Sequence, residues 1–244
     1  MSFASDNRHI ERTLLMDADD TLWENNIFYL NCQARFEEYM AGWGCDRDMA
    51  VEILRRCEME TIQIYGYGPE GYIAALGITA ERLLQQHNRQ VSPEIVAEAR
   101  AVGEILLSPP MVLLADVEHT LRALYPTSGL ILVTKGDEKT QNAKIEQSGI
   151  GPLFDARYIV AEKDVSTYRN IVRELGLDPR HTWMIGNSPK SDINPAVAAG
   201  LNAILIPHSH TWTAEIQKIE RPELVVTLRR FAELLDFFQI DQFS

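Results

Sequence analysis

Residues 13–16 (TLLM) form a short apolar run that breaks off into acid at Asp17, Asp19 and Asp20. An uninterrupted apolar run of this length predicts a strand buried on both faces in a parallel sheet, with polar groups gathered at its C-terminal end. From Trp23 to about Ser108 the rhythm changes. Residues 28–40, 49–64 and 94–107 carry apolar positions at helical spacing, and no strand pattern is evident. Ser92-Pro93-Glu94 predicts a helix start, with Ser92 as N-cap and Pro93 in the first turn. Pro109-Pro110 ends the helical stretch.

Beyond Pro110 the pattern alternates. Residues 116–124 predict a helix, 130–133 a strand, 137–147 a helix, 158–161 a strand and 166–175 a helix. Residues 182–185 and 203–206 predict strands on either side of a helix over 193–199 that Gly200 closes. A strand at 224–227 and a helix over 228–238 complete the series. Strand–helix alternation means a parallel sheet with helices on both faces. The expected fold is α/β: a Rossmann-like, doubly wound parallel sheet over residues 1–22 and 111–244, interrupted by an all-α cap over 23–110. No internal repeat or low-complexity segment disturbs this division.

Composition narrows the function. Across 244 residues, 45% are hydrophobic and 24% charged, as in a globular protein. The net charge of -12 argues against nucleic acid or an anionic membrane as partner. It leaves room for an anionic small substrate, because a bound metal and lysines can reverse the local field. Cys32, Cys45 and Cys57 include no CxxC pair and read as reduced thiols of a cytoplasmic protein. The polar stretch from Met1 to Arg12 lacks the apolar core of a signal peptide, and no run of about 18 apolar residues predicts a membrane span.

In an open α/β sheet, ligands bind at the carboxyl ends of the strands. The first strand ends in Asp17-Ala18-Asp19-Asp20-Thr21 and the next core strand in Thr134-Lys135-Gly136. The third is followed by Lys163, and the fourth ends in Gly186-Asn187-Ser188-Pro189-Lys190-Ser191-Asp192. This ordered set, with a helical insert after the first strand, resembles the haloacid dehalogenase-like (HAD) hydrolase superfamily along the whole chain, in its capped phosphatase branch. The resemblance implies a Mg²⁺-dependent phosphohydrolase acting on a small phosphorylated metabolite.

The residue types suit that chemistry. A phosphomonoester carries about two negative charges, so a carboxylate nucleophile needs charge cancellation to approach it. Asp17 can offer one oxygen to a metal and the other to phosphorus, forming an aspartyl-phosphate. Asp19, two residues on, faces the same side of an extended segment and can act as general acid and base. Thr134, Lys135, Gly136 and Lys163 make the candidate phosphate-binding set, with Thr134 and Lys163 also catalytic and Lys135 a neighbour of the site. Asp17, Asp19, Asn187 and Asp192 make the candidate metal set, the resemblance implying that Asp19 contributes its backbone carbonyl.

Two positions depart from the family pattern. Asp20 stands where members commonly carry Gly, and Asn187 opens the fourth motif where Asp is usual, keeping a ligating oxygen but losing a charge. Blander readings stand beside the sharp ones. Thr134 and Asp192 could be helix caps, and Lys163 a solvated lysine. His208 and His210 suggest a metal pair, yet no third ligand is evident, which favours a loop near the site mouth. The Tyr65–Pro69 turn could face substrate or only join two cap helices.

Other chemistries share such a fold. Asp19 argues against dehalogenation, which has no leaving alkoxide to protonate. A phosphonatase needs a cap lysine, and the first lysine here is Lys135. A sugar phosphomutase, a phospho-accepting signalling module and a non-catalytic binding protein remain as alternatives. Sugar phosphates and nucleoside monophosphates are both open as substrates, and both monomer and homodimer as assemblies.

Overall fold

The apolar run at residues 13–16 becomes an inner strand of a parallel sheet. The computed structural model describes residues 8–240. In chain order its elements begin with β1 (Arg12–Met16), then α1 (Asn26–Gly42), α2 (Arg47–Tyr65), α3 (Pro69–Gln86) and α4 (Pro93–Ala101). There follow α5 (Val117–Leu124), β2 (Ser128–Lys135), α6 (Glu138–Ser148), β3 (Ala156–Val160), α7 (Val165–Leu175) and β4 (Thr182–Gly186). The last are α8 (Asn194–Ala198), β5 (Asn202–Leu205), β6 (Val225–Thr227) and α9 (Glu233–Phe237).

The strands pair in the order β3-β2-β1-β4-β5-β6, every pair parallel. The order reverses between β1 and β4, the switch point at which open α/β sheets bind ligands. Leu15 lies in register with Ile131 on one side and Met184 on the other; β1 and β4 end within a residue of each other, and β2 runs on past Leu132, the partner of Met16, to Lys135. Alternate side chains feed opposite faces. Leu14, Met16, Leu130 and Leu132 pack with Val117 and Leu121 of α5, whereas Leu15, Ile131 and Val133 pack with Tyr168 and Ile171 of α7.

By contact the chain divides into Met1–Asn26 with Met111–Ser244, and Ile27–Pro110. The first unit runs through Asn26 and not just to residue 22 because the segment after the acidic turn pairs with the returning chain. Trp23 bridges Leu113, the Glu24 N–H donates to Val112 O at 2.9 Å, and the Leu114 N–H donates to Leu22 O at 2.9 Å. Residues 27–110 fold into helices joined by turns and hold a core of their own, including Phe36, Met40, Leu54, Tyr72, Leu76 and Leu83.

The sequence pattern and the structure differ in places. α3 has no separate counterpart in the reading above; it starts at Pro69, where proline is favoured in a first turn. The helix expected over 94–107 stops at Ala101, and a 3₁₀ turn takes up Glu104–Leu107. The helix expected over 228–238 shrinks to Glu233–Phe237, because the Glu233 carboxylate accepts from the Arg229 N–H at 2.9 Å and holds the preceding segment in turns. For residues 1–7, the polar stretch read as lacking a signal peptide lies outside the described residues. Among the described residues no helix is long and apolar enough to cross a membrane.

Candidate active site

Where β1 ends, the Asp17 N–H still donates to Ile185 O at 2.9 Å, which sets the first acidic residue beside the end of β4. The chain then turns on Asp20, whose φ of 60° is left-handed. Aspartate tolerates this region better than most residues, and glycine best. The Asp20 carboxylate accepts the Asn25 and Asn26 N–H groups at 2.9 and 3.0 Å and so caps α1. A side chain that caps the helix therefore stands where the family pattern has Gly. Burial pushes its pKa up to about 7, with the Asn25 and Asn26 N–H bonds opposing and the Asp19 and Asp17 charges adding to the rise.

Asp17, Lys163 and Asp192 converge. Lys163 Nζ pairs with Asp17 Oδ1 and, at 2.9 Å, with Asp192 Oδ1, all three side chains being buried. Burial alone would lower the Lys163 pKa, but the charges of Asp17 and Asp192 outweigh it and raise it, so the ammonium persists. Burial and the Asp17 charge push Asp192 upward against the pull of Lys163. The second Asp192 oxygen accepts the Ser188 N–H at 2.9 Å. Gly186 makes this possible: a Cβ there would lie 2.2 Å from Asp192 Oδ2.

Thr21 joins Asp17 to Asn187. Its hydroxyl donates to Asp17 Oδ2 at 2.8 Å and lies 3.3 Å from Asn187 Oδ1, while Asn187 Nδ2 donates to Thr211 Oγ1 at 2.9 Å. Two oxygen acceptors thus lean toward one point. This is the hard donor chemistry that suits Mg²⁺, and four carboxylates (Asp17, Asp19, Asp20, Asp192) stand against the ammoniums of Lys163 and Lys144.

Asp19 is held by residues of α6 and by its own turn. Lys144 Nζ lies 2.9 Å from each carboxylate oxygen, Gln141 Nε2 donates to Oδ2 at 3.0 Å, and Trp23 Nε1 donates to Oδ1 at 2.7 Å. Burial would raise the Asp19 pKa, but Lys144, Gln141 and Trp23 together lower it. Thr134, on β2, donates to Gln141 Oε1 at 3.1 Å and so joins the same network.

Several expected roles change. Thr134 does not cap α6; Asp137 does, accepting the Thr140 N–H at 2.8 Å. Asp192 does not cap α8. It sits in a π-helical turn, Pro189–Ile193, whose cap is Ser188, and both its oxygens are engaged by Lys163 and Ser188. Lys135, of the candidate phosphate-binding set, pairs with Glu215 at 2.7 Å and with Ser191 Oγ at 3.2 Å. The Gly136 N–H donates to Val160 O at 3.2 Å, and its φ of 149° positions the chain for α6. Lys144, Gln141, Thr21 and Glu215 are absent from the sequence-derived set. Gln141 and Lys144 lie three apart on a helix with little apolar character, so a shared polar face was the available signal.

The open parallel sheet gathers Asp17, Asp19, Thr134, Lys163 and Asp192 around its switch point, where α/β folds of this class bind their ligands. The sequence model of the haloacid dehalogenase-like hydrolases matches residues 11–200, and the chain belongs to that family. A crystal structure of a haloacid dehalogenase-like hydrolase from Xanthomonas campestris superposes with a TM-score of 0.79 at 27% identity, covering 96% of this chain and 92% of that one. A magnesium-bound HAD hydrolase of Bacillus subtilis shares the fold at a TM-score of 0.64 and 18% identity, over 95% of this chain and 100% of its own. N-acylneuraminate-9-phosphatase of Mus musculus is 34% identical over 98 residues, which span 38% of this chain and 40% of the relative.

Proposed function

We propose that the chain is a Mg²⁺-dependent phosphomonoesterase that works through an aspartyl-phosphate on Asp17. The observation that carries this reading is the placement of the Asp17 carboxylate, with Oδ1 on the buried Lys163 ammonium and Oδ2 on Thr21 beside Asn187. Asp17, Asn187 and the Asp19 carbonyl would hold Mg²⁺, which supplies charge neutralisation and orientation for the phosphate. Asp192 is assigned to holding Lys163 in place, with Oδ1 on the Lys163 ammonium and Oδ2 on the Ser188 N–H.

In the first step an Asp17 oxygen attacks phosphorus, the ester P–O bond breaks, and Asp19 gives its proton to the leaving oxygen. In the second, Asp19 takes a proton from water, water oxygen attacks phosphorus, and the bond to Asp17 breaks. Lys163 balances charge on Asp17 and on the transferring group throughout. The helical unit, inserted next to the nucleophile motif in sequence, is assigned to substrate selection. The likeness to N-acylneuraminate-9-phosphatase favours a phosphorylated sugar over a nucleoside monophosphate.

The test is phosphate release across a panel of sugar phosphates and nucleoside monophosphates, with Mg²⁺ and with chelator. Asp17→Asn should abolish turnover while its circular dichroism stays that of the unaltered protein. Substantial residual turnover would remove Asp17 as nucleophile.

A further inference from the structure

Outside the proposed Mg²⁺ set, the loop after β5 meets the turn after β1. His208 Nε2 lies 3.6 Å from Glu24 Oε2, and His210 Nδ1 lies 3.9 Å from the same oxygen. One ligand atom from each of the three residues falls within 4.8 Å of the others. These separations are too long for hydrogen bonds. They approach the spacing of about 3.3 Å between neighbouring ligands around a tetrahedral ion held at about 2.0–2.1 Å.

A second observation points the same way. Glu24 Oε2 and His210 Nδ1 are both buried atoms with no hydrogen-bond partner, and among the described residues only Arg8 Nε and Thr120 Oγ1 share that state. Buried polar atoms normally find a partner, so two orphans aimed at one point call for an occupant.

The loop is built to hold them. His208 O accepts from the Thr211 N–H at 3.2 Å and from Thr211 Oγ1 at 3.0 Å, which closes a turn and brings both imidazoles to Glu24. Asn26 Nδ2 donates to His210 O at 2.6 Å. His208 Nδ1 lies 3.7 Å from Asp20 Oδ1 and 3.3 Å from the His210 N–H. Ligation through Nε2 puts the ring proton on Nδ1. That proton would displace the hydrogen bond that Nδ1 accepts from the His210 N–H and point toward Asp20, 3.7 Å away, a carboxylate–histidine–metal arrangement common behind such ligands.

We infer that Glu24, His208 and His210 form a second cation site, selective for a zinc-class divalent ion and separate from the oxygen-donor set around Asp17. Two imidazoles and one carboxylate are the ligand set that suits zinc, whereas magnesium takes oxygen donors. A bound ion would tie the turn after β1 to the loop after β5, leaving at least one coordination position open.

The test uses tag-free, full-length, chelator-stripped protein and Zn²⁺ alone, followed by isothermal titration and by thermal melting. The unaltered protein and Asp17→Asn should each take up a single tightly bound Zn²⁺ and melt higher with it. His210→Ala and the shape-conserving Glu24→Gln should bind at least about tenfold more weakly and lose the melting shift. Circular dichroism of both variants without metal should match the unaltered protein. Undiminished Zn²⁺ binding in folded Glu24→Gln and His210→Ala would overturn the site. So would loss of binding in Asp17→Asn alone, which would assign the ion to the Asp17 set.

Discussion

Lys144 Nζ sits 2.9 Å from both carboxylate oxygens of Asp19. A symmetric charge-assisted contact of this kind favours the carboxylate over the acid. It sets a condition on the proposed chemistry, because a leaving alkoxide needs Asp19 protonated whereas an attacking water needs it ionised. Lys144 is therefore read as a positioning residue that biases Asp19 toward the base form until a substrate phosphate competes for its charge. Lys144→Gln should raise the Asp19 pKa and move the alkaline limb of kcat to higher pH for alkyl phosphates. Aryl phosphates, whose leaving groups need little protonation, should respond less. An unchanged pH profile with both substrate types would separate Lys144 from control of Asp19.

Gly186 tests the buried ion set by sterics alone. A Cβ at that position would meet Asp192 Oδ2 at 2.2 Å and Asp192 Cγ at 2.4 Å, neither of which can move without leaving Lys163 or the Ser188 N–H. Gly186→Ala should cost about 3 kcal/mol in denaturant unfolding, the scale of a disrupted buried ion pair. It should also lower kcat more than it raises KM, since Lys163 loses its anchor. A variant as stable as the unaltered protein would mean that the turn shifts freely.

Much of this arrangement was legible in the sequence, for a physical reason. Strand ends in a parallel sheet are marked by an apolar run breaking into polar residues, so Asp17, Thr134 and Gly186 could be placed without coordinates. Lys163 could be placed only by its order in the chain, and its burial against Asp17 and Asp192 is a tertiary fact. The helix partners were hidden for a different reason. Gln141 and Lys144 lie on a polar helix that resembles a solvated one, and their target, Asp19, is more than a hundred residues distant. Glu24 was missed as a companion of His208 and His210 because only the paired loops bring them together. The shortening of the last helix followed from one side-chain cap at Glu233, which periodicity cannot register.

Glu215 supplies a pH signature of stability. Burial would raise its pKa, but the Lys135 ammonium and hydrogen bonds from Lys135 and Ser188 hold it down to about 2, from an ordinary 4.5. A carboxylate depressed in the folded state stabilises above its unfolded pKa, and that contribution is lost as pH falls through the folded value. The span corresponds to no more than about 3 kcal/mol. The gap in melting temperature between the unaltered protein and Glu215→Gln should therefore narrow as pH drops from about 5 to about 3. A gap that stays constant over that range would assign the effect of the substitution to packing and not to charge.

Asn187 gives the most direct probe of the Mg²⁺ set. Its Oδ1 shares the Thr21 hydroxyl with Asp17 Oδ2, and its Nδ2 is committed to Thr211. If Oδ1 ligates the ion, Asn187→Asp adds a full charge at the ligand position with almost no change of shape. At water-like screening, a unit charge about 4 Å from another contributes about 1 kcal/mol, and a divalent ion at ligand distance feels more. The Mg²⁺ concentration for half-maximal turnover should fall by at least about fivefold, while the Zn²⁺ titration assigned to Glu24, His208 and His210 should keep its stoichiometry. The one Thr211 hydroxyl proton already goes to His208 O, and the substitution removes the Nδ2 donor to Thr211, so the melting temperature reads whether the turn holds. An unchanged Mg²⁺ requirement, in protein whose melting temperature is also unchanged, would remove Asn187 from the metal set and leave Asp17 as its one anionic ligand.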